Sequence, residues 1–221
     1  MKIYGQKAKL NLLNLTLKNI HKQYGLHTVL QFDEFHLTTG IYWLKGGNGT
    51  GKSTLFRIIS GLTTFDGIVK LNNIELKKDP VQFRSKISYS EAEPQYPLFI
   101  TGRELLNFYQ EVRDAKPNEI AELTSLFEMT PFLDQKVGGY SSGMLKKLSL
   151  ICAFIGSVEL IILDEPLITI DSASADKLMH LISEQAKMGK SFLLSSHQEI
   201  DKEKLAIATV FEIINTQIVK C

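Results

Sequence analysis

Two cysteines, six prolines, almost no net charge and no long apolar run define this chain first by what it excludes. Cys152 and Cys221 are the two thiols in 221 residues. Neither sits in a CxxC pair or a Cys/His cluster, so neither a zinc site nor a disulfide framework is expected. The 25 lysines and arginines stand against 24 aspartates and glutamates, leaving a net charge of +1. That balance argues against a protein that grips nucleic acid through phosphate neutralisation, and no nucleic-acid partner is expected. The longest apolar stretch, Leu148 to Val158, stops at Glu159, short of the ~18–20 residues that span a bilayer. Met1-Lys2-Ile3-Tyr4-Gly5-Gln6-Lys7 has no signal-peptide core. A cytoplasmic protein is expected, with any membrane span supplied by another chain.

What is present is ordinary for a globular protein: 44% hydrophobic and 22% charged residues, enough apolar mass to bury roughly 70% of the unfolded surface. Leu13–Ile20 and Val29–Leu37 alternate apolar and polar residues, the period of antiparallel strands with one wet face. Ile41–Leu44, Leu160–Leu163 and Phe192–Leu194 are continuous apolar runs, as in parallel strands covered on both faces. Between Ser85 and Gly156 the pattern turns helical, with segments at Glu104–Tyr109, at Ile120–Phe127 and along Leu145, Leu148, Ile151 and Ile155. Pro94, Pro97, Pro117 and Pro131 are expected between these helices. The fold class is therefore α/β: a mainly parallel sheet, an N-terminal antiparallel β-subdomain and an inserted α-helical subdomain. The chain reads as one domain over 1–221, with a core of 1–84 and 157–221 and helices within 85–156. The lysine pairs Lys77-Lys78 and Lys146-Lys147 read as solvated faces.

Gly46-Gly47-Asn48-Gly49-Thr50-Gly51-Lys52-Ser53-Thr54 follows an apolar strand and precedes a segment with apolar Leu55, Ile58, Ile59 and Leu62, which Gly61 can end. It has the spacing G-x-x-x-x-G-K-[ST]. Glycines let the backbone curl so that N–H groups face phosphate oxygens, and the helix N-terminus adds positive potential. Lys52 can reach β- and γ-phosphates, and the Ser53 hydroxyl can ligate Mg²⁺. Leu160–Leu163 ends in Asp164-Glu165-Pro166. Asp164 suits a Mg²⁺ ligand and Glu165 a base that polarises an attacking water. The expected cofactors are ATP and Mg²⁺, on a P-loop nucleotide-triphosphatase core.

With these motifs in this order, the sequence resembles the ATP-binding cassette (ABC) family, the ATPase subunits of ABC transporters. Tyr140-Ser141-Ser142-Gly143-Met144 aligns with the family signature LSGGQ, which in the family closes over ATP bound to the opposite subunit. Ser141 and Gly143 match; Tyr140, Ser142 and Met144 replace leucine, glycine and glutamine. The resemblance further implies a D-loop at Ile168-Thr169-Ile170-Asp171, a switch histidine at His197 in Ser195-Ser196-His197-Gln198, and an adenine-stacking aromatic at Tyr24. It casts Glu165, His197 and Lys52 as catalytic. Tyr24, the phosphate loop, Ser141, Ser142, Gly143 and Asp171 are expected to bind nucleotide, and Ser53 and Asp164 the metal.

One departure stands out. In Ile87-Ser88-Tyr89-Ser90-Glu91-Ala92-Glu93-Pro94, Ala92 takes the place of the family's Q-loop glutamine and Glu91 that of the preceding proline; Glu93 or a water could substitute, with Gln95 a poorer fit. The resemblance implies transport of an unidentified substrate through a separate transmembrane permease. The second ATP-binding subunit would be a copy or a relative, and the site of action the inner face of the cell membrane. The short tail after His197 tilts the direction toward export. The alternative is a nucleotide-gated regulatory or assembly module with weak ATPase activity. A soluble P-loop kinase is disfavoured because a signature precedes the carboxylate strand.

Overall fold

The computed structural model describes residues 12–197 and 205–221. Met1–Lys7 and Gln198, both read above, lie outside the described residues. The two alternating runs become β1, Asn14–Tyr24, and β2, His27–Thr38, an antiparallel pair. Their inward residues, Leu15, Leu17, Leu30 and Leu37 among them, are buried while their neighbours meet water. Next come β3, Ile41–Lys45, and α1, Lys52–Ile59. β4, Asp66–Leu71, and β5, Ile74–Glu75, complete a four-stranded antiparallel sheet in the order β2-β1-β4-β5.

A short α2, Pro80–Ser85, leads into β6, Ile87–Ser90. Then come α3, Gly102–Val112; α4, Pro117–Leu126; α5, Ser142–Phe154; β7, Leu160–Leu163; α6, Ser172–Lys187; and β8, Ser191–Ser196. β9, Ile207–Ile214, and β10, Gln217–Lys220, close the described chain. The second sheet runs β10-β9-β3-β8-β7-β6, parallel except for the β9–β10 hairpin.

The continuous apolar runs have their cause in this sheet's two faces. Ile41, Trp43, Ile161, Leu163, Phe192 and Leu194 pack with α5 and α6 residues in one core. Their alternates Tyr42, Leu44, Leu160, Ile162 and Leu193 pack with α1 and the antiparallel sheet in another. Each such burial stabilises by roughly 1.5–3 kcal/mol before entropy is counted. With both faces covered, no position in these strands is left for a polar residue until the strand ends. That is where the chemistry sits.

Three expectations change. Ile87–Ser90 pairs with β7 as a sheet strand, so the helical segment starts later than residue 85; four residues are too few for periodicity to separate strand from helix. Pro117 is the first residue of α4, and Pro131 lies in the first turn of a short 3₁₀ helix, Thr130–Phe132. Both sit where a helix has no N–H to lose. Leu62 falls beyond α1 and is exposed, because Gly61 (φ +69°) turns the chain first. Among the described residues, no helix is long and apolar enough to cross a membrane.

Candidate active site

Two helices start without a side-chain cap, and they differ: α4 opens on Pro117 with Glu119 in its first turn, whereas α1 carries neither a proline nor an acid there. α2, α3, α5 and α6 have their first free N–H groups capped by the side chains of Asp79, Thr101, Ser141 and Asp171. α1 begins at Gly51 with no side-chain cap and no acid in its first turn. Its unpaired N–H groups and positive helix end are left for an anion. Gly51 has φ +106°, and a Cβ there would lie 3.1 Å from Val29 Cγ1, so both backbone conformation and packing against β2 call for glycine. Lys52 is buried, its ammonium donating to the carbonyls of Gly46 (2.7 Å) and Gly47 (2.9 Å). Burial pulls its pKa below the ordinary value, against the attraction of Glu165 and Asp164.

A cavity of about 300 Å³ opens over this loop, lined by Asn48 to Thr54 together with Asp164, Glu165, His197, Ala92, His27 and Val29. Asp164 and Glu165 follow β7 and are almost fully buried. Asp164 Oδ1 accepts from Ser195 Oγ at 2.6 Å, and Oδ2 accepts from the Tyr89 hydroxyl at 3.2 Å. Desolvation first, and then Asp164, pushes the Tyr89 phenol well above its usual range. Glu165 has φ +46°, a left-handed backbone uncommon outside glycine. Its N–H donates to Ser195 Oγ at 2.9 Å, and its Oε2 accepts from the His197 N–H at 3.1 Å. The other oxygen, Oε1, is buried without a hydrogen bond; His197 Nε2 lies 3.1 Å away and Lys52 Nζ 3.9 Å away.

The residues fit a triphosphate with a small hard cation. The Ser53 hydroxyl and the Asp164 carboxylate line a common cavity, and oxygen donors are what Mg²⁺ takes. Among the described residues no group of three His, Cys, Asp or Glu could hold a metal alone. A cation here would complete its shell with phosphate oxygens and water.

The remaining sequence candidates are placed elsewhere. Gly46 and Gly47 meet Lys52 through their carbonyls rather than lining the cavity. Tyr24 is half exposed with the Lys22 ammonium 4.4 Å over its ring; its hairpin reaches the cavity through His27 and Val29 instead. Ser141, Ser142, Gly143 and Asp171 do not line the cavity. Ser141 caps α5, accepting from the Met144 N–H at 3.2 Å. A Cβ on Gly143 would lie 2.7 Å from the Thr169 carbonyl, so the signature presses directly on the D-loop segment. Asp171 caps α6 through Ser174 and pairs with Lys147 at 2.8 Å. Tyr140 accounts for its own departure from leucine: its ring is buried and its hydroxyl donates to the Phe132 carbonyl at 2.7 Å.

Sequence reasoning missed Tyr89, Ser195 and Lys146. A tyrosine in the short strand before Glu91, and serines ending the apolar run of β8, were the available signals. Lys146 corrects an expectation outright: it is fully buried rather than solvated. It stands one turn before Leu150 and two before Ala153 on α5, which are buried, and that spacing was legible. Burial brings its pKa down to about 8 against the attraction of Asp164, Glu165 and Glu91. Its neighbour Lys147 is also largely covered, by the pair with Asp171.

Comparison with known proteins agrees with this geometry. The family model described as ABC transporter matches residues 34–168. The cytochrome c biogenesis ATP-binding export protein CcmA of Legionella pneumophila is 30% identical over 179 residues, covering 80% of this chain and 88% of that one. The ABC-type transporter ATP-binding protein EcsA of Bacillus subtilis (strain 168) is 31% identical over 189 residues, 83% of this chain and 76% of that one. A solved ATP-binding subunit of an ABC transporter superposes with a TM-score of 0.84 at 26% identity, covering 94% of this chain and 89% of the other. A dimeric ATP-binding cassette in a post-hydrolysis state with ADP and Pi shares the fold, with a TM-score of 0.78 at 20% identity over 93% and 98%.

Proposed function

The chain belongs to the ABC transporter family as an ATP-binding, ATP-hydrolysing subunit, and from that premise we propose that two copies close head to tail around two MgATP to drive a separate transmembrane permease. The whole chain is read as a single nucleotide-binding domain. The observation that carries the hydrolytic reading is Glu165 Oε1: buried, free of hydrogen bonds, and facing the phosphate loop with His197 beside it.

Phosphoryl transfer to water asks the protein to neutralise charge and to place the water in line. Lys52 would exchange the carbonyls of Gly46 and Gly47 for β- and γ-phosphate oxygens, while the uncapped N–H groups of α1 surround the phosphates. Ser53 and Asp164 would hold Mg²⁺, which supplies charge neutralisation between the phosphates. Glu165 would take the proton of the attacking water as the new P–O bond forms and the bond to the ADP oxygen breaks. His197, hydrogen-bonded to Glu165, would orient it and reach the γ-phosphate. Ser141, Ser142 and Gly143 would complete the partner copy's site rather than their own, in keeping with their absence from the lining of this cavity. Asp171 would act through the D-loop, and Tyr24 would meet the adenine.

The permease reading rests on the helical segment. Phe108 and Val112 on α3, with Leu98 and Phe99 before it, expose apolar surface. Tyr109 and Arg113 line a cleft of about 360 Å³ shared with Glu91 and Gln95. A short helix of the permease is the occupant proposed for this cleft, which would place the protein on the cytoplasmic face of a membrane. Similarity to an export protein supports the outward direction.

Glu165→Gln tests the chemistry. A general base contributes 10²–10⁴-fold, about 3–5 kcal/mol of barrier. The variant is expected to bind ATP with unchanged affinity and to lose turnover by at least ~10²-fold. Turnover within several-fold of wild type would remove Glu165 from the base role.

A further inference from the structure

Lys146 has no exposed surface, and a lysine is buried to that degree only when its ammonium is fully paired. Its three N–H donors meet three acceptors: the carbonyls of Glu91 at 2.7 Å, Ala92 at 3.3 Å and Asp164 at 2.7 Å. Every acceptor is main chain. The ammonium therefore fixes backbone in place, and does so with charge-assisted bonds, about twice as strong as neutral ones. Two of the carbonyls belong to the segment leaving β6. The third belongs to Asp164, the residue directly after β7 whose side chain is the one proposed for the metal.

The same segment is gripped from the other side. The Glu91 carboxylate accepts from Arg57 Nη2, on α1, at 3.1 Å. Glu91-Ala92 is thus held between the helix that begins at the phosphate loop and the helix that Ser141 caps. Ala92 lines the phosphate cavity, yet its methyl group can carry no polar linkage of its own. What binds this edge of the cavity to its surroundings is the backbone, through Lys146.

We propose that Lys146 is a positioning residue of the ATPase, joining the helix that Ser141 caps to the Ala92 edge of the phosphate cavity and to the backbone of Asp164. It does the mechanical work that position 92 cannot do through its side chain. A displacement of α5 then carries both segments with it, so that closure on the signature is felt at Asp164. The Glu91–Arg57 pair keeps the opposite flank on α1. This inference rests on the hydrolytic reading above, and the test separates the two.

Lys146→Met keeps the length of the side chain and removes all three donors; Lys146→Gln keeps an amide donor. Two readouts are taken on the full chain. Hydrogen–deuterium exchange without nucleotide reads the linkage itself, and steady-state MgATP hydrolysis with fluorescent-ATP binding reads its consequence. For Lys146→Met the expected result is faster exchange over residues 91–96 and 164–167. With it should come a kcat lowered about tenfold or more and an ATP affinity within about threefold of wild type, the pattern of lost positioning rather than lost binding. Lys146→Gln is expected to restore part of kcat. If the methionine variant does not fold, the glutamine variant carries the test alone, expected to show the same split at smaller amplitude. Unchanged exchange at both segments, a wild-type kcat, or a parallel loss of affinity and turnover would each overturn the proposal. A wild-type chain that binds but does not hydrolyse ATP would overturn the hydrolytic reading and the positioning role together, leaving exchange to report on the linkage alone.

Discussion

Ser195 does two things with one oxygen, donating to Asp164 Oδ1 at 2.6 Å and accepting from the Glu165 N–H at 2.9 Å. It therefore fixes both carboxylate residues from the neighbouring strand. Ser195→Ala leaves a buried carboxylate oxygen short of a donor and a buried N–H without an acceptor, a loss of about 1–3 kcal/mol. In a domain of this size each kcal/mol lowers Tm by roughly 2–4 °C. A calorimetric melt should show that drop, and turnover should fall more than ATP affinity; a wild-type Tm would contradict the assigned double role. Gly143→Ala sets a gain of up to ~1 kcal/mol in helix propensity against a Cβ 2.7 Å from the Thr169 carbonyl. Thr169 already sits at φ +70°, so the backbone that must yield is strained before it moves. The clash should win: the variant is expected to melt lower and hydrolyse ATP more slowly, and a gain in Tm would show that the D-loop gives way freely. That Lys52, Ser53, Asp164, Glu165 and His197 belong together was legible in the sequence, the first four from residue types at fixed spacing and His197 from the family resemblance, and one cavity gathers them. The roles of Ser195, Tyr89 and Lys146 were not legible, since they depend on which oxygens the fold brings to them, although helical spacing alone carried the burial of Lys146.

Among the elements, helix starts decide where ligands can bind. Four helices spend a side chain on their first turn; α4 does not but starts on Pro117 with Glu119 in that turn, and α1 has neither a cap nor an acid. Asp171 is the cap of α6, accepting from the Ser174 N–H at 2.8 Å while paired with Lys147 on α5. Lys147 first, then Ser174, holds this carboxyl far below the usual carboxylate range. A group depressed on folding contributes stability in full above its unfolded pKa of ~3.9 and loses it progressively as pH falls from there through its lower folded pKa. Asp171→Ala should cost about 1 kcal/mol at neutral pH, as lost caps do. The difference in Tm from wild type should shrink below about pH 4, and a difference independent of pH would assign the effect to packing. The strands read well where apolar runs were long or strictly alternating, as in β1, β2, β3, β7 and β8. The β9–β10 hairpin was not read. Its turn is Asn215-Thr216, both with positive φ, and a β-branched residue there hides the Asn-Gly pattern that usually marks such a turn.

At the scale of the whole molecule, the residues assigned to nucleotide do not share one cavity. The phosphate loop, Asp164, Glu165 and His197 share one cavity, and the signature residues Ser141, Ser142 and Gly143 stand outside it. A second copy, related by a two-fold axis, would bring each signature to the other's cavity, and such self-complementary pairing is the commonest way soluble chains assemble. Sequence motifs named these residues but carried no geometry to show which of them meet within one chain. The measurement that tests this most directly is sedimentation of Glu165→Gln with and without MgATP, since slowed turnover lets the closed state accumulate. The account predicts a monomer without nucleotide and twice that mass with it. A variant that binds MgATP and remains monomeric would contradict it.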